Sequence, residues 1–520
     1  MIFFGGDYNP EQWPEKVWAE DVELMRAARV NLVTVGVFAW SALQPAPDEF
    51  AFGRLDRILD LLGGAGIGVC LATPTASPPP WFTRLHPDAM PVTAAGVRLS
   101  HGSRDTYCVN APAYRAASLR IARKLAARYA SHEAVRMWHV HNEYGTTCFC
   151  DHCAAAFRGW LADRYGDLGA LNEAWCTEFW SQRYGDFAEV LPPRATQYLH
   201  NPAQLLDYRR FFSDALLGHY REQRDALRVS PAPVTTNFVL GGWVPVDHAR
   251  WAREVDVVAV DDYPSSMDER AFSADRARGW AIAAGRRQWM VMEHAPEAGA
   301  GPTARTYLER GAAGIMYFQW RAGPGGAEQW HPAMTQILPA ITALGAQLSD
   351  REPVSVRAEH ALLYDEQTMW AWQSPHLPAW RIDYEATVRR WHAAIGPPVD
   401  VLPVTADLSR YTLVVAPLLY LMSAATHAAL REFAANGGTL VLTYASGLVD
   451  EVSRTTPGSL DDLIGVRVLR PAVAGTRWID DLEPAGAVVL LRTADGRPAI
   501  TEYRYGAGLV RYLATDLEDG

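Results

Sequence analysis

The sequence has 520 residues, which at about 150 residues per domain predicts more than one domain, and 49% of the residues are hydrophobic. With 21% charged residues and glycine and proline scattered along the chain, the composition is that of a folded globular protein, not a disordered or fibrous one. The formal net charge is −11 and no lysine- or arginine-rich run occurs, which argues against nucleic-acid or anionic-membrane partners.

The same chain shows no feature of membrane insertion or export. No stretch approaches the roughly 18 consecutive apolar residues of a membrane span. The first residues, Met1–Phe4, are too short and too uncharged for a signal peptide and are followed at once by Gly5-Gly6-Asp7. We therefore expect a cytoplasmic protein with no membrane partner.

Residues 1–350 alternate short apolar runs, typical of buried parallel strands, with helical patterns such as Tyr114–Ser131 and Ala203–Val229. This alternation predicts a closed (β/α)8 barrel, the TIM barrel, in which chemistry occurs at the carboxyl ends of the strands. The predicted strands are Phe3–Tyr8, Leu32–Val37, Gly68–Ala72, Arg136–Val140, Val234–Phe238, Val257–Val260, Trp289–Glu293 and Ile315–Phe318.

Cysteines are concentrated in one part of this region. Cys108 precedes the cluster Cys148, Cys150 and Cys153, whose CxCxxC spacing allows several thiolates to reach one ion. Four soft ligands suit tetrahedral zinc, and such a closed set would have a structural role. The alternatives are free buried thiols or, in an exported protein, a disulfide.

Two glutamates lie where strands end. Glu143 follows the fourth predicted strand and Glu293 ends the seventh, so a barrel would direct both carboxylates into one pocket. Two carboxyl groups about 5–5.5 Å apart are what hydrolysis of a glycosidic bond with retention requires. Other carboxylates, among them Asp261, Asp262 and Glu297, are interpreted as structural or surface groups.

Near residue 351 a second α/β series begins. Strands are predicted at Ala361–Tyr364, Val399–Leu402 and Leu413–Ala416, with helices between them. Residues 351–520 are therefore predicted to form a flavodoxin-like or amidotransferase-like domain. No cysteine follows Cys176, which excludes a working cysteine amidotransferase and assigns this domain to assembly.

Several motifs, in order, resemble glycoside hydrolase family 42, the β-galactosidases. They are Gly5–Pro14 (GGDYNPEQWP), Ala72–Trp81 (ATPTASPPPW), Asn142–Gly145 (NEYG) and Met316–Arg321 (MYFQWR). The resemblance implies a retaining exo-β-galactosidase that acts on small β-galactosides or galacto-oligosaccharides by double displacement. Glu143 would be the acid/base and Glu293 the nucleophile.

The resemblance also implies the other parts of the protein. The four clustered cysteines match a structural zinc site, no organic cofactor is needed, and the second domain would form homotrimers. Arg104, Asn142, Tyr263, Glu328 and His331 match the galactose pocket, and Trp180 matches a position on the aglycone side.

Each of these side chains has a physical reason for its role. Asn142 can hold the sugar 2-hydroxyl, and Tyr263 can donate to Glu293 and keep it ionised. Glu328 and His331 would bind the hydroxyls that distinguish galactose from glucose. Structural alternatives remain: a salt-bridged loop residue for Arg104, a packed aromatic at the barrel mouth for Tyr263, a core residue for Trp180, and a solvated helix face for Glu328 and His331.

The sequence departs from the family pattern at three places. The segment after Glu293 lacks a tryptophan over the galactose ring, and residues 144–147 before Cys148 are compressed. The family's small C-terminal β-domain is expected to be absent or truncated. Alternative functions are therefore an α-L-arabinopyranosidase of the same fold and a catalytically weakened galactoside-binding protein.

Overall fold

The structure is a computed structural model that describes residues 1–297, 299–375, 377, 382–474 and 477–516, without the side chains of 470–474 and 477. Residues 517–520, at the end of the predicted second domain, and residue 298, in the segment after Glu293, lie outside the described residues. The chain divides into two compact units, one made of Met1–Phe157 and Phe211–Val356 and the other of Arg158–Arg210 and Arg357–Gly520.

The first unit is built on a parallel nine-stranded sheet. Its strands are β1 (Phe3–Tyr8), β2 (Leu32–Val35), β3 (Gly68–Thr73), β4 (Val135–Val140), β5 (Val234–Thr235), β6 (Asn237–Val239), β7 (Val258–Asp261), β8 (Trp289–Glu293) and β9 (Gly314–Tyr317). Hydrogen-bonded neighbours follow the order β5-β4-β3-β2-β1-β9-β8-β7-β6. The two ends of this order, β5 and β6, are separated only by Thr236, so the sheet closes on itself as a TIM barrel.

The fifth predicted strand, Val234–Phe238, is thus divided at Thr236. Its first part pairs with β4 and its second part pairs with β7. The apolar run predicted a strand correctly, but periodicity carries no signal for the point at which the pairing changes. This break has a functional consequence, because it places Asn237 at the start of β6.

The barrel interior is apolar at the level of the strand centres. Alternate residues of a strand point to the same side, and Met290 and Met292 of β8 accordingly share one cluster with Met137, Cys70 and Leu32. Cys70 lies in this core. Polar residues follow at the carboxyl ends of the strands.

The helices of the first unit surround the sheet in chain order. They are α1 (Glu15–Ala27), α2 (Trp40–Leu43), α3 (Gly53–Gly64), α4 (Pro80–Leu85), α5 (Pro112–Tyr129), α9 (His248–Trp251), α10 (Met267–Ala283), α11 (Ala300–Leu308) and α12 (Leu338–Leu348). Two longer helices run from one unit into the other, α6 (Asp151–Tyr165) and α8 (Pro202–Leu227), and α7 (Leu168–Ala174) lies wholly in the second unit.

The second unit contains a seven-stranded sheet of order β11-β10-β12-β13-β18-β17-β16. Its strands are β10 (His360–Leu363), β11 (Val399–Leu402), β12 (Leu413–Ala416), β13 (Thr439–Thr443), β16 (Val488–Arg492), β17 (Pro498–Tyr505) and β18 (Gly508–Leu513), and a separate hairpin pairs β14 (Val466–Ala474) with β15 (Arg477–Pro484). Its helices are α13 (Glu366–Trp372), α14 (Tyr384–Ile395), α15 (Ala424–Ala435) and α16 (Asp461–Ile464). The parallel part has the 2-1-3-4-5 order of flavodoxin-like folds, as predicted.

Within the described residues, no helix is both long enough and apolar enough to cross a membrane.

Candidate active site

The carboxyl ends of the barrel strands bring three carboxyl groups together. Glu143 follows β4, Asp261 ends β7 and Glu293 ends β8. One carboxyl oxygen from each lies within 4.8 Å of those of the other two. The pair of glutamates predicted from strand-end position therefore occupies one pocket, and Asp261 lies beside them.

The backbone after β4 places Glu143 in an unusual conformation. His141 and Glu143 have φ angles of 65° and 45°, a left-handed region that side chains other than glycine rarely adopt. The segment is held by hydrogen bonds: the His141 N–H donates to Thr73 Oγ1 at 2.9 Å, and its ring contacts the Tyr107 hydroxyl at 2.7 Å and Thr75 Oγ1 at 3.0 Å. Strain held in this way by surrounding contacts is typical of functional sites.

Arg104 lies against the acid/base candidate. Its guanidinium donates to Glu143 Oε2 and to Asp105 Oδ2, the latter at 3.0 Å, and it stands over the ring of Phe38 at 5.6 Å. The ion pair with Glu143 places a permanent positive charge at the rim of the carboxylate pocket. Arg104 is thus an ion-paired loop residue located at the site.

Glu293 receives two hydrogen bonds. The Tyr263 hydroxyl donates to Oε2 at 2.8 Å, and Asn237 Nδ2 lies 3.3 Å from Oε1. Burial raises the pKa of Glu293, and the negative charges of Asp7 and Glu143 raise it further, while the Tyr263 hydrogen bond and the charge of Arg104 lower it. Tyr263, the donor predicted from the sequence, therefore contacts Glu293, while the net effect of burial and of the neighbouring acids is a raised pKa of Glu293.

Asn237 connects the members of this pocket, and the sequence analysis missed it. Its Nδ2 group lies 2.9 Å from Asn142 Oδ1 and 2.5 Å from Asp261 Oδ2, in addition to its contact with Glu293. Its Oδ1 accepts from the backbone N–H of Glu143 at 2.7 Å. One amide thus links both catalytic candidates.

A hydrogen bond from His139 fixes the orientation of the Asn237 amide. His139 Nε2 lies 2.9 Å from Asn237 Oδ1, and burial lowers the pKa of His139 to about 4, so that the ring is neutral at pH 7. Since Oδ1 only accepts, His139 must carry its proton on Nε2. The only local signal for Asn237 was a polar residue inside a predicted strand.

Two further acids lie in the barrel. Asp7, near the end of β1, is buried, and burial together with the charge of Glu143 raises its pKa to about 8, against the opposing hydrogen bond from Thr34. Burial and the neighbouring glutamates also raise the pKa of Asp261. Asp261 and Asp262 are both buried, which agrees with the structural interpretation of these residues and excludes the surface one. The position of Asp261 and Asp262 at the end of β7 is the sequence signal that could have identified them as pocket residues.

Glu328 and His331 lie in a turn, not on a helix, so the helix-face interpretation was wrong. Their side chains are 3.6 Å apart and about 43% and 42% exposed. The His331 ring packs edge-on against Phe318 at 5.1 Å, and the Phe318 N–H donates to the carbonyl of His294 at 3.0 Å. The pair therefore lies at the end of β9, next to the strand that carries Glu293.

Trp180 belongs to the second unit. It is 55% exposed and has a left-handed backbone with φ 57°. Its ring stacks on Phe179 at 4.6 Å and meets Tyr198 edge-on at 5.3 Å. The interpretation of Trp180 as a buried core residue was therefore wrong.

The four clustered cysteines converge. Their sulfur atoms all lie within 4.8 Å of one another, and Cys108 is 3.5 Å from both Cys150 and Cys153. Tetrahedral zinc, with Zn–S bonds of about 2.3 Å, requires sulfur atoms about 3.8 Å apart. The Val92 N–H and Asn110 Nδ2 each approach a sulfur, Cys148 and Cys153 respectively, at 3.3 Å. The donor set, spacing and burial fit a zinc ion.

Comparison with known proteins agrees with this geometry. Residues 7–342 match a family described as "Glyco_hydro_42: Beta-galactosidase", and residues 358–520 match a "Beta-galactosidase trimerisation domain". The β-galactosidase bgaB of Geobacillus kaustophilus is 36% identical over 99% of this chain and 85% of its own length. The β-galactosidase BbgII of Bifidobacterium bifidum is 38% identical over 97% of this chain and 81% of its own length.

Solved structures give the same result. The β-galactosidase from Bacillus circulans sp. alkalophilus superposes with a TM-score of 0.93 and 32% identity, covering 99% of this chain and 86% of that one. A family 42 β-galactosidase from G. stearothermophilus gives a TM-score of 0.94 and 32% identity over 100% and 86% of the two chains. The chain is thus a glycoside hydrolase and belongs to family 42, the β-galactosidases.

Proposed function

We propose that the protein is a retaining exo-β-galactosidase that hydrolyses terminal β-galactosyl residues of small β-galactosides by double displacement. The observation that carries this proposal is the proximity of the Glu143 and Glu293 carboxyl groups, with oxygens within 4.8 Å. Retaining enzymes hold their two carboxyl groups about 5–5.5 Å apart, whereas inverting enzymes need about 6.5–9.5 Å to admit a water molecule.

Glu293 is the nucleophile in this scheme. Its carboxylate attacks the anomeric carbon while Glu143 gives its proton to the glycosidic oxygen, so that the C–O bond breaks and the aglycone leaves as a neutral alcohol. Tyr263 and Asn237 hold the two oxygens of Glu293 in place before the attack. Glu143 is now a carboxylate, and Arg104 lies beside it to stabilise the charge.

The second displacement uses the same groups in reverse. Glu143 removes a proton from a water molecule, which attacks the anomeric carbon and releases Glu293. Two inversions give net retention, and Glu143 ends protonated for the next cycle. The positive charge of Arg104 assists when Glu143 is ionised, between the two displacements.

Substrate recognition is assigned to the polar side chains at the strand ends. Asn142 binds the 2-hydroxyl. Asn237 holds its Oδ1, and its Nδ2, which lies 3.4 Å from Glu143 Oε2, is the donor on the side of the carboxylate pocket. Glu328 and His331 bind the C4 and C6 hydroxyls, and a glucoside would leave part of their hydrogen-bonding capacity unused.

Zinc, assembly and location complete the proposal. Cys108, Cys148, Cys150 and Cys153 would hold a structural zinc that links the loop before α5 to the loop after Glu143. Such a closed site leaves no position for water or substrate, and no catalytic step passes through it. Residues 1–350 form the catalytic domain. Residues 351–520 form the domain through which three copies of the chain assemble, and the homotrimer is located in the cytoplasm.

Release of nitrophenol from the β-galactoside tests the function directly. The β-glucoside, β-fucoside and α-L-arabinopyranoside run beside it, with Glu143→Gln as the control. Preference for the galactoside, lost in the variant, is expected. Preference for the arabinopyranoside would identify the alternative enzyme, and galactose binding without turnover would identify a binding protein.

A further inference from the structure

An exposed tryptophan at the mouth of the barrel has no role in the chemistry described above. Trp243 lies in the loop that follows β6, and 62% of its surface is exposed. The loop turns at this point, because the Val244 N–H donates to the carbonyl of Gly241 at 3.1 Å. Trp243 therefore lies at the carboxyl end of the barrel, on the side where β4 and the split strand are neighbours.

The indole of Trp243 packs closely against the backbone of two glycines. A Cβ atom at Gly145 would lie 2.9 Å from Cζ3 of Trp243, and one at Gly241 would lie 2.8 Å from its Nε1. Both distances are shorter than any real Cβ contact, so the ring occupies space that only glycine leaves free. The indole thus packs against Gly145 and Gly241, while most of the Trp243 surface stays exposed to a ligand.

The platform lies beside the acid/base. The same Cβ position at Gly145 is 3.6 Å from the carbonyl oxygen of Glu143, so the edge of the ring and the backbone of Glu143 flank one glycine. Glu143 protonates the oxygen of the leaving group. Whatever is attached to that oxygen must therefore lie on the Glu143 side of the pocket, where Trp243 is found.

We propose that Trp243 is the stacking platform of the aglycone subsite and that the group it binds is a second hexopyranose ring. The inference rests on the proposed function. A flat apolar ring suits the C–H face of a pyranose, while the indole N–H suits a polar tip.

This assignment has a consequence for the second displacement. A sugar that occupies the same subsite after the first aglycone has left can replace water as the acceptor. Its hydroxyl oxygen bonds to the anomeric carbon as the bond to Glu293 breaks, and its proton goes to Glu143. Trp243 thus affects two processes in parallel: cleavage of disaccharides and transfer of galactose to sugars. It does not affect cleavage of galactosides whose leaving group is too small to reach it.

The test compares lactose with β-galactosyl fluoride in Trp243→Ala. We expect kcat/KM for lactose to fall about tenfold, the value of one aromatic stacking contact, while kcat/KM for the fluoride stays within about twofold. Trp243→Phe keeps a smaller ring, so its kcat/KM for lactose should lie between those of the wild type and Trp243→Ala. If the alanine variant does not fold, the phenylalanine variant should still lose activity on lactose and not on the fluoride. Galactosyl transfer at high lactose should fall relative to hydrolysis.

The control is Val229→Ala. Val229 is 70% exposed and lies between α8 and β5, at the amino end of the barrel, so its truncation should change neither substrate. If Trp243→Ala lost activity equally on lactose and on the fluoride, or on neither, the inference would be overturned and the proposed function would stand. A changed subunit number of the variant, measured by light scattering, would also overturn it, because the loss would then come from assembly. A wild-type enzyme that cleaves neither substrate would instead refute the proposed function.

Discussion

The first unit of the protein contains a cluster of three carboxyl groups and a cluster of four cysteines. The two clusters are similarly compact but have different neighbouring groups. In one, Glu143, Asp261 and Glu293 place oxygens within 4.8 Å of one another, and in the other four cysteines do the same with sulfurs. The carboxyl groups are contacted by the donors of Asn237, Tyr263 and Arg104. All four cysteines are buried, and each lies close to the others.

The difference separates a site for chemistry from a site for structure. A carboxylate pocket with an arginine and a tyrosine at its rim can exchange protons and admit a substrate, because Glu143 and Tyr263 are partly exposed. A closed set of four thiolates satisfies an ion completely and leaves nothing for a substrate to displace. Changes to the first cluster should therefore affect rates, and changes to the second should affect stability.

The largest effect is expected when the nucleophile is removed. Glu293→Ala should lower kcat for the β-galactoside by about 10⁴-fold or more, since no other group can form the covalent intermediate. Azide should restore turnover by entering the vacated space and giving a galactosyl azide of inverted anomeric configuration. The exposed carboxylate Glu297, nearby in the chain, is the control, and Glu297→Ala should retain activity. Full activity in Glu293→Ala would refute the assignment.

Removal of the metal tests the second cluster. We expect about one zinc per chain by elemental analysis, and Cys148→Ser should lose the zinc and lower the melting temperature by roughly 5–15 °C. The matched control is Cys176→Ser, the same chemical change at an exposed cysteine outside the cluster. Purified protein that contains far less than one zinc, with unchanged stability in Cys148→Ser, would contradict the structural role.

Asn237 tests whether the carboxylate pocket depends on its amide link. Asn237→Ala should lower kcat about 100-fold, the cost of misplacing reacting groups by about 1 Å. The loss should be smaller for a 2-deoxygalactoside, because Asn237 holds Asn142, which we propose binds the 2-hydroxyl. Equal losses on both substrates would indicate a general structural defect instead of positioning.

The smallest effect is expected for Asp7, whose ionisation in the buried site lowers the free energy of unfolding. Because the folded state keeps the Asp7 proton up to about pH 8 while the unfolded chain releases it near pH 3.8, stability falls as the pH rises through this window. Asp7→Asn cannot ionise and should be more stable than the wild type above pH 8, by roughly 2–4 kcal/mol, with no gain below pH 3.8.

Urea titrations at several pH values measure the Asp7 effect. The control is Asp48→Asn, the same chemical change at a side chain that is 89% exposed. A gain in Asp7→Asn that does not vary with pH would show that packing, and not the proton, is the cause.

Strand positions could be predicted from the sequence because buried parallel strands are apolar runs with clear ends. Trp289–Glu293 was predicted with both of its ends, and the end that carries Glu293 is the part that matters for function. The glutamates were identified because the carboxyl end of each barrel strand faces one pocket. Cys148, Cys150 and Cys153 were identified because they lie close together in the sequence.

Asn237 and Trp243 could not be predicted because their roles depend on long-range contacts. Asn237 acts only because β5 ends before it and because Asn142 and Asp261 come from other strands. Trp243 depends on Gly145, nearly a hundred positions earlier, for the space that its ring occupies. Polar or aromatic residues of this kind look like ordinary strand and loop residues until the fold brings their partners together.

The most direct test of the account is the anomeric configuration of the first galactose released from a β-galactoside, followed by proton NMR before mutarotation. The proximity of Glu143 and Glu293 predicts that β-galactose appears first and then equilibrates with the α anomer. Initial release of α-galactose would mean a single displacement by water and would contradict Glu293 as the nucleophile.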